Sequence, residues 1–270
     1  MIENLTSLSA PLLALMAGLF TWGMTALGAC FVLFVKSVNR KLFDTALGFA
    51  AGVMIAASFW SLLEPAIEMS EKLSIPSWIP PATGFILGAI FLRLIDMVLP
   101  HLHLQAPISK AEGIKTSFKR STLLVLAVTL HNIPEGLAVG VSFGAYGIDP
   151  ANVTLLSSVM LAVGIGIQNI PEGFAISMPL RSEGLSKKKS FMVGQISGFV
   201  EPIFALIGAL LVNIMEILLP YALGFAAGAM IFVTVEELIP ESQRNENSDI
   251  ATAGLIIGFT LMMILDVAFK

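Results

Sequence analysis

Apolar runs of about twenty residues, long enough to cross a bilayer, follow one another along almost the whole chain. A segment in hydrocarbon must satisfy its own backbone N–H and C=O groups, so it is either a helix or part of a closed barrel. Short alternating strands are missing from the pattern, and helices are expected. The runs fall at roughly 8–35, 44–68, 82–99, 121–145, 153–178, 190–214, 217–239 and 250–269. Only a short turn near Glu216 separates the sixth from the seventh. The expected fold class is therefore all-α: a polytopic membrane protein of eight transmembrane helices forming one transporter-sized domain over 1–270. Composition agrees, with 56% hydrophobic and 13% charged residues against about 25% charged in soluble domains.

Eight spans place both termini on one side. Lys36, Arg40 and Lys41; Lys110, Lys115, Lys119 and Arg120; Arg181, Lys187, Lys188 and Lys189; and Arg244 all fall in odd-numbered loops. These are twelve of the fifteen basic residues. Basic loops stay in the cytoplasm, so both termini are expected outside it. The N-terminal MIENLTSLSA has no basic segment before its apolar run, and no cleaved signal peptide is read there. The single Cys30 excludes an intrachain disulfide framework and a thiolate cluster.

The chain also repeats itself. ALGFAAGVMI at 46–55 returns as ALGFAAGAMI at 222–231, nine identities in ten. The copies lie in the second and seventh spans and would run in opposite directions. That is the mark of an inverted repeat, spans 1–3 against 6–8 around spans 4 and 5. The alternative is convergent helix packing on Gly and Ala.

A second duplication lies between those halves. HNIPEG begins at His131 and QNIPEG at Gln168, each inside an apolar run. Positions i and i+4 share a helix face. His131 therefore faces the same way as Glu135, and Gln168 the same way as Glu172, with Asn132 and Asn169 beside them. Pro134 and Pro171 each remove a backbone donor and release a carbonyl one turn earlier. In the sixth span, GQISGFVEP supplies Gln195 and Glu201. Carboxylates gathered in hydrocarbon repel one another unless a cation joins them. Nitrogen and oxygen donors suit zinc and its first-row neighbours. A lone intramembrane Asn can also be interhelical glue, and a lone Glu can be protonated and hydrogen-bonded.

HNIPEG, then QNIPEG one span later, then GFVEP, resembles the Zrt/Irt-like protein (ZIP) family of divalent-metal transporters, most closely its bacterial GufA-like branch. The likeness covers nearly the whole chain. It implies movement of Zn2+, with Cd2+, Fe2+ and Mn2+ as competitors, into the cytoplasm, with a bacterial inner-membrane location and a homodimer. By motif position, His131, Glu135, Gln168 and Glu172 would hold a first metal. Asn132, Glu135, Asn169, Glu172 and Glu201 would hold a second, with the two shared glutamates bridging. Met54 matches a methionine that adds a thioether to the first site. Glu236 and Glu237 match exit-path positions. His101 and His103 match a loop that is often His-rich, and Glu64 is reached by spacing alone. Many family members have His at the position of Gln168, and an amide oxygen is the poorer zinc ligand.

Two other functions remain to be weighed. A metal-selective channel would use the same ligands. An intramembrane metalloenzyme would need H-E-x-x-H, and the chain offers one intramembrane His. No enzyme activity, catalytic cofactor or nucleic-acid partner is expected; the expected partners are divalent metal ions, membrane lipid and a second copy of the chain.

Overall fold

The structure, a computed structural model, describes residues 8–34, 39–100, 120–182, 184–214, 218–244 and 246–268. Every regular element among them is helical. Eight helical rods follow in order. They are α1 (Ala10–Cys30), α2 (Arg40–Ser70), α3 (Ile79–Val98), α4 (Arg120–Ile148), α5 (Leu155–Ser182), α6 (Lys187–Ile196, resuming as Val200–Ile214 after one 3-10 turn), α7 (Leu219–Ser242) and α8 (Ser248–Ala268). All but α4 are long and apolar enough to cross a membrane by length and composition among the described residues. α4 spans 29 residues with the HNIPEG motif at its middle. The sixth and seventh runs are separate helices, as expected, ending at Ile214 and beginning at Leu219.

Glycines set how these rods pack. A Cβ on Gly52 would lie 2.0 Å from the carbonyl oxygen of Leu255, and one on Gly48 2.1 Å from that of Ala251. Gly254 and Gly258 of α8 meet Thr45 and Phe49 of α2 in the same way. The pair α7–α3 repeats the arrangement, with Gly224 and Gly228 against Pro81 and Phe85, and Gly84 and Gly88 against Tyr221 and Phe225. Backbone approaches backbone at both seams, which only small residues permit. Rising numbers on one helix meet rising numbers on the other, so each pair is parallel. α1 with α5 and α4 with α6 are parallel pairs too; Gly140 lies against Ala205 and Gly144 against Ala209.

The two ALGFAAG copies run in opposite directions. Arg40, at the start of α2, donates to Glu241 at the end of α7 at 3.2 Å. Met54 meets Thr234, whose hydroxyl donates to its Sδ at 3.5 Å. Met69 and Lys72, at the far end of α2, share a cavity wall with Leu219 and Pro220, where α7 begins. Both helices loosen into a π-turn at corresponding points, Ser58–Leu63 and Thr234–Leu238. At each turn a hydroxyl bonds back to the residue four before it: Ser58 to Met54, Thr234 to Met230. The inverted relation of α2 and α7 thus extends from sequence to packing, caps and distortions.

The principal contacts divide the rods into two groups. α1, α4, α5 and α6 pack on one another, and α2, α3, α7 and α8 do likewise. α5 against α2 and α4 against α7 are the main seams between the groups. At one end of the molecule Lys72 Nζ donates to Asp149 Oδ2 at 2.5 Å, joining α2 to the connection after α4. This hydrogen bond holds the Asp149 carboxyl below the usual carboxylate range. At the other end Arg40 links Asp44 (3.0 Å) and Glu241 (3.2 Å), and Asn247 donates to Asp44 at 3.0 Å. Asp266, unexplained by sequence, accepts from Ser61 at 2.5 Å and ties α8 to α2.

Gly52→Ala is expected to destabilise the fold by about 1–3 kcal/mol, because its methyl meets backbone rather than a movable side chain. Gly23→Ala, with nothing within 4 Å of its Cβ, should be neutral or stabilising by up to about 1 kcal/mol. Thermal unfolding in detergent tests both; equal effects would contradict the packing described.

Candidate metal site

The NIPEG motifs lie mid-length on α4 and α5. Pro134 and Pro171 cannot donate to the carbonyls of Leu130 and Ile167, which each helix would otherwise pair. Asn132, Glu135, Gln168, Asn169, Glu172 and Glu201 are all buried, none more than 4% exposed. Hydrogen bonds and electrostatic contacts bring Glu135, Gln168, Asn169, Glu172 and Glu201 of α4, α5 and α6 into one buried zone, and Asn132 is buried three residues before Glu135 on α4. His131 is on α4 one turn before Glu135; its side chain lies outside the described residues.

Hydrogen bonds within the zone orient the amides. Gln168 Nε2 donates to Glu135 Oε1 at 2.6 Å. Asn169 Nδ2 donates to Glu201 Oε2 at 2.8 Å and to the Thr21 carbonyl at 3.3 Å. A carboxylate or carbonyl accepts only from the NH2 side of an amide. Both amide oxygens, Gln168 Oε1 and Asn169 Oδ1, are consequently turned away from these partners, and both are buried without a partner among the described residues. The same is true of Glu135 Oε2, both oxygens of Glu172, and Oδ1 and Nδ2 of Asn132. Six of these seven orphaned atoms are oxygens. Glu135 interacts electrostatically with Glu172 and Glu201, and Glu172 with Glu201 and Glu237. A buried group of carboxyls with unpaired oxygens has the chemistry to receive a cation.

The donor set is mixed. Among the described residues no three His, Cys, Asp or Glu side chains are gathered closely enough to hold an ion by themselves. The carboxylates are interspersed with amides, and Glu201 is bound on both oxygens, by Thr25 at 3.1 Å and by Asn169. Met54 is fully buried, with its sulfur facing Thr234.

The outlying candidates separate. Phe43 contacts Phe174, and Val53 lies beside Gly164, so α5 runs antiparallel to α2 with its NIPEG alongside residues 43–53. Glu236 and Glu237 line a small cavity of about 20 Å³ with Asp96 and Leu130, the residue before His131. Glu64 is half-buried further along α2, beyond Met54, at the opposite end from these acids. It is therefore not gathered with Glu236 and Glu237 at one place. His101 and His103 lie outside the described residues. Gln195, which sequence placed near Glu201, instead accepts from Trp22 Nε1 through its backbone and side-chain oxygens, at 2.8 and 3.1 Å.

Sequence reasoning missed Thr21 and Thr25. The two threonines lie one turn apart in the otherwise apolar α1, a signal that was available. Asp96 does pair with Arg93 at 2.8 Å, as the three-residue spacing implies. Its place beside Glu236 and Glu237 needed the fold.

Comparison with known proteins gives this architecture a family. A profile described as ZIP Zinc transporter matches residues 101–266. The chain belongs to the ZIP family. Similar proteins include zinc transporter ZIP11 of Bos taurus, 41% identical over 94% of this chain and 96% of that protein. Zinc transporter GufA of Myxococcus xanthus is 39% identical over 94% and 98%. Zinc transporter ZIPB of Bordetella bronchiseptica is 38% identical over 94% and 81%. As a ZIP protein with these helices, the chain is an integral multi-pass membrane protein, and its family is one of transporters rather than enzymes.

The orphaned carboxylate carries a stability cost. Glu172→Leu is expected to raise the thermal stability of this ZIP protein in chelator by about 1–3 kcal/mol, since it removes two unpaired buried oxygens and their repulsion. Thermal unfolding measures this, and a lowered midpoint would refute it.

Proposed function

We propose that this protein is a carrier that moves zinc, and with it cadmium, iron(II) or manganese(II), into the cytoplasm through the buried zone between α4 and α5. The observation that carries this reading is the set of six unpartnered oxygens on Asn132, Glu135, Gln168, Asn169 and Glu172. Each costs about 1–3 kcal/mol left bare, and a divalent ion offsets all of them at once. His131, Glu135, Gln168 and Glu172 are the donors for one ion. Asn132, Glu135, Asn169, Glu172 and Glu201 are the donors for a second, bridged to the first by Glu135 and Glu172. Met54 adds a soft donor, and Glu237 with Glu236 and Asp96 receives the ion on the inward side. His101 and His103 would take it up in the loop beyond.

The closed state of the zone favours a carrier over a channel. Asn132, Glu135, Gln168, Asn169, Glu172 and Glu201 are each no more than 4% exposed. Movement of the α1–α4–α5–α6 group against the other four helices would expose it to each side in turn. Residues 1–270 act as one transporter domain in a bacterial cytoplasmic membrane, with both termini outside. In a homodimer the subunits would meet on large apolar residues, because the Gly seams of α2, α3, α7 and α8 are occupied within the chain.

Zinc uptake into proteoliposomes is expected for the wild type and reduced at least about tenfold in both Glu135→Ala and His131→Ala. Undiminished flux in either would place the path elsewhere. Gln168→His should tighten zinc binding about tenfold and slow its release, because imidazole replaces an amide oxygen. Calorimetric titration alongside flux reads both, and unchanged affinity would remove Gln168 from the donor set.

A further inference from the structure

Glu201 is the most constrained carboxylate in the zone. Its Oε1 accepts from Thr25 Oγ1 of α1 at 3.1 Å and its Oε2 from Asn169 Nδ2 of α5 at 2.8 Å. Its backbone is pressed against α4: a Cβ at Gly136 would lie 2.6 Å from the Glu201 carbonyl oxygen. Gly198, one turn of α6 earlier, leaves the room for the carboxylate. A Cβ there would come within 2.8 Å of Glu201 Oε1 and 2.9 Å of Thr25 Oγ1. Thr25 and Glu201 are both fully or almost fully buried, so water does not replace a lost donor. The Thr25 hydroxyl also lies 3.4 Å from the Thr21 carbonyl. It has one proton for two acceptors, and the shorter contact, to a carboxylate, is the stronger.

We propose that Thr25 is a positioning residue for the second metal: its hydroxyl fixes the orientation in which Glu201 offers its remaining lone pairs to the ion. The inference rests on the two-metal reading above and adds α1 to the elements that build the site. Each carboxylate oxygen has two acceptor directions. Thr25 and Asn169 take one on each oxygen, so Glu201 approaches an ion only along the directions left. The Asn169–Glu201 bond also aims Asn169 Oδ1, so loosening Glu201 loosens a second donor. Partners that orient metal ligands in this way are worth about tenfold to a hundredfold in affinity.

The test is calorimetric titration of Zn2+ into the full-length, chelator-stripped protein in detergent, with thermal unfolding of each variant. Wild type should bind two equivalents, and Glu201→Ala should lose the second. Thr25→Val should weaken the second step about tenfold or more and leave the first unchanged. Thr25→Ser should restore it. Combining Thr25→Val with Glu201→Ala should give the Glu201→Ala result with no further loss, because the hydroxyl then has no carboxylate to position. A second step of wild-type affinity in Thr25→Val would overturn the proposal. So would a loss shared by both steps and not rescued by serine, or a further loss on the Glu201→Ala background. If Glu201→Ala retains both equivalents, the assignment of Glu201 fails and this inference with it. If Glu135→Ala retains both, the reading of the whole site fails.

Discussion

Two glutamates on adjacent helices, buried and close enough to interact electrostatically, constrain everything around them. Three of the four carboxyl oxygens of Glu135 and Glu172 have no partner among the described residues. Such a pair survives in a fold only if the surrounding structure holds it in place against repulsion. α4 and α5 do not do this alone. α6 lies along α4 and α1 along α5, each close enough for glycine to meet the neighbouring backbone. The four helices form a clamp in which no carboxylate can swing away to water.

The same device, a glycine seam between parallel helices, holds the other four. Without a hydrophobic force to separate helix from lipid, close van der Waals approach is what drives association in a bilayer. The α2–α8 and α3–α7 seams each use two Gly pairs spaced four apart, one from each helix. A pair welded in this way moves as a unit. The helices that carry the donors contact this second group chiefly along two seams, and the Lys72–Asp149 ion pair ties the groups at one end. Exposed ion pairs of this kind contribute about 1 kcal/mol or less, so this one does not by itself lock the two groups together.

Much of this was legible in the sequence, for definite reasons. Apolar run length gave eight helices because hydrocarbon leaves the backbone few choices. The α2–α7 inversion was legible because nine of ten residues are identical and each Gly has a backbone to meet. Glu135 and Glu172 stood out because acids are rare at membrane depth. Contacts between distant segments were less accessible. Gln195 shares its span with Glu201, yet it accepts from Trp22 of α1 instead of meeting Glu201. Glu64 matched by spacing, but the antiparallel run of α2 carries it to the end away from Glu237. Thr25 is 176 positions from Glu201, and no local pattern announces that meeting.

On the proposed function, the amides would let the site bind an ion and still release it. A site of bare carboxylates would hold a divalent ion too firmly to let it leave, while one whose every polar atom was paired would have no need of it. This zone lies between those limits. The Gln168 and Asn169 nitrogens are already bonded to Glu135 and Glu201, so two of the three carboxylates keep a partner when the ion departs. Those same bonds leave the two amide oxygens buried without a partner among the described residues, available to a cation. One set of hydrogen bonds thus lowers the cost of the empty state and presents ligands for the filled one. With Gln168 as a ligand in place of an imidazole, that balance would shift toward release, because a strong donor is exchanged for a weak one that also bonds Glu135.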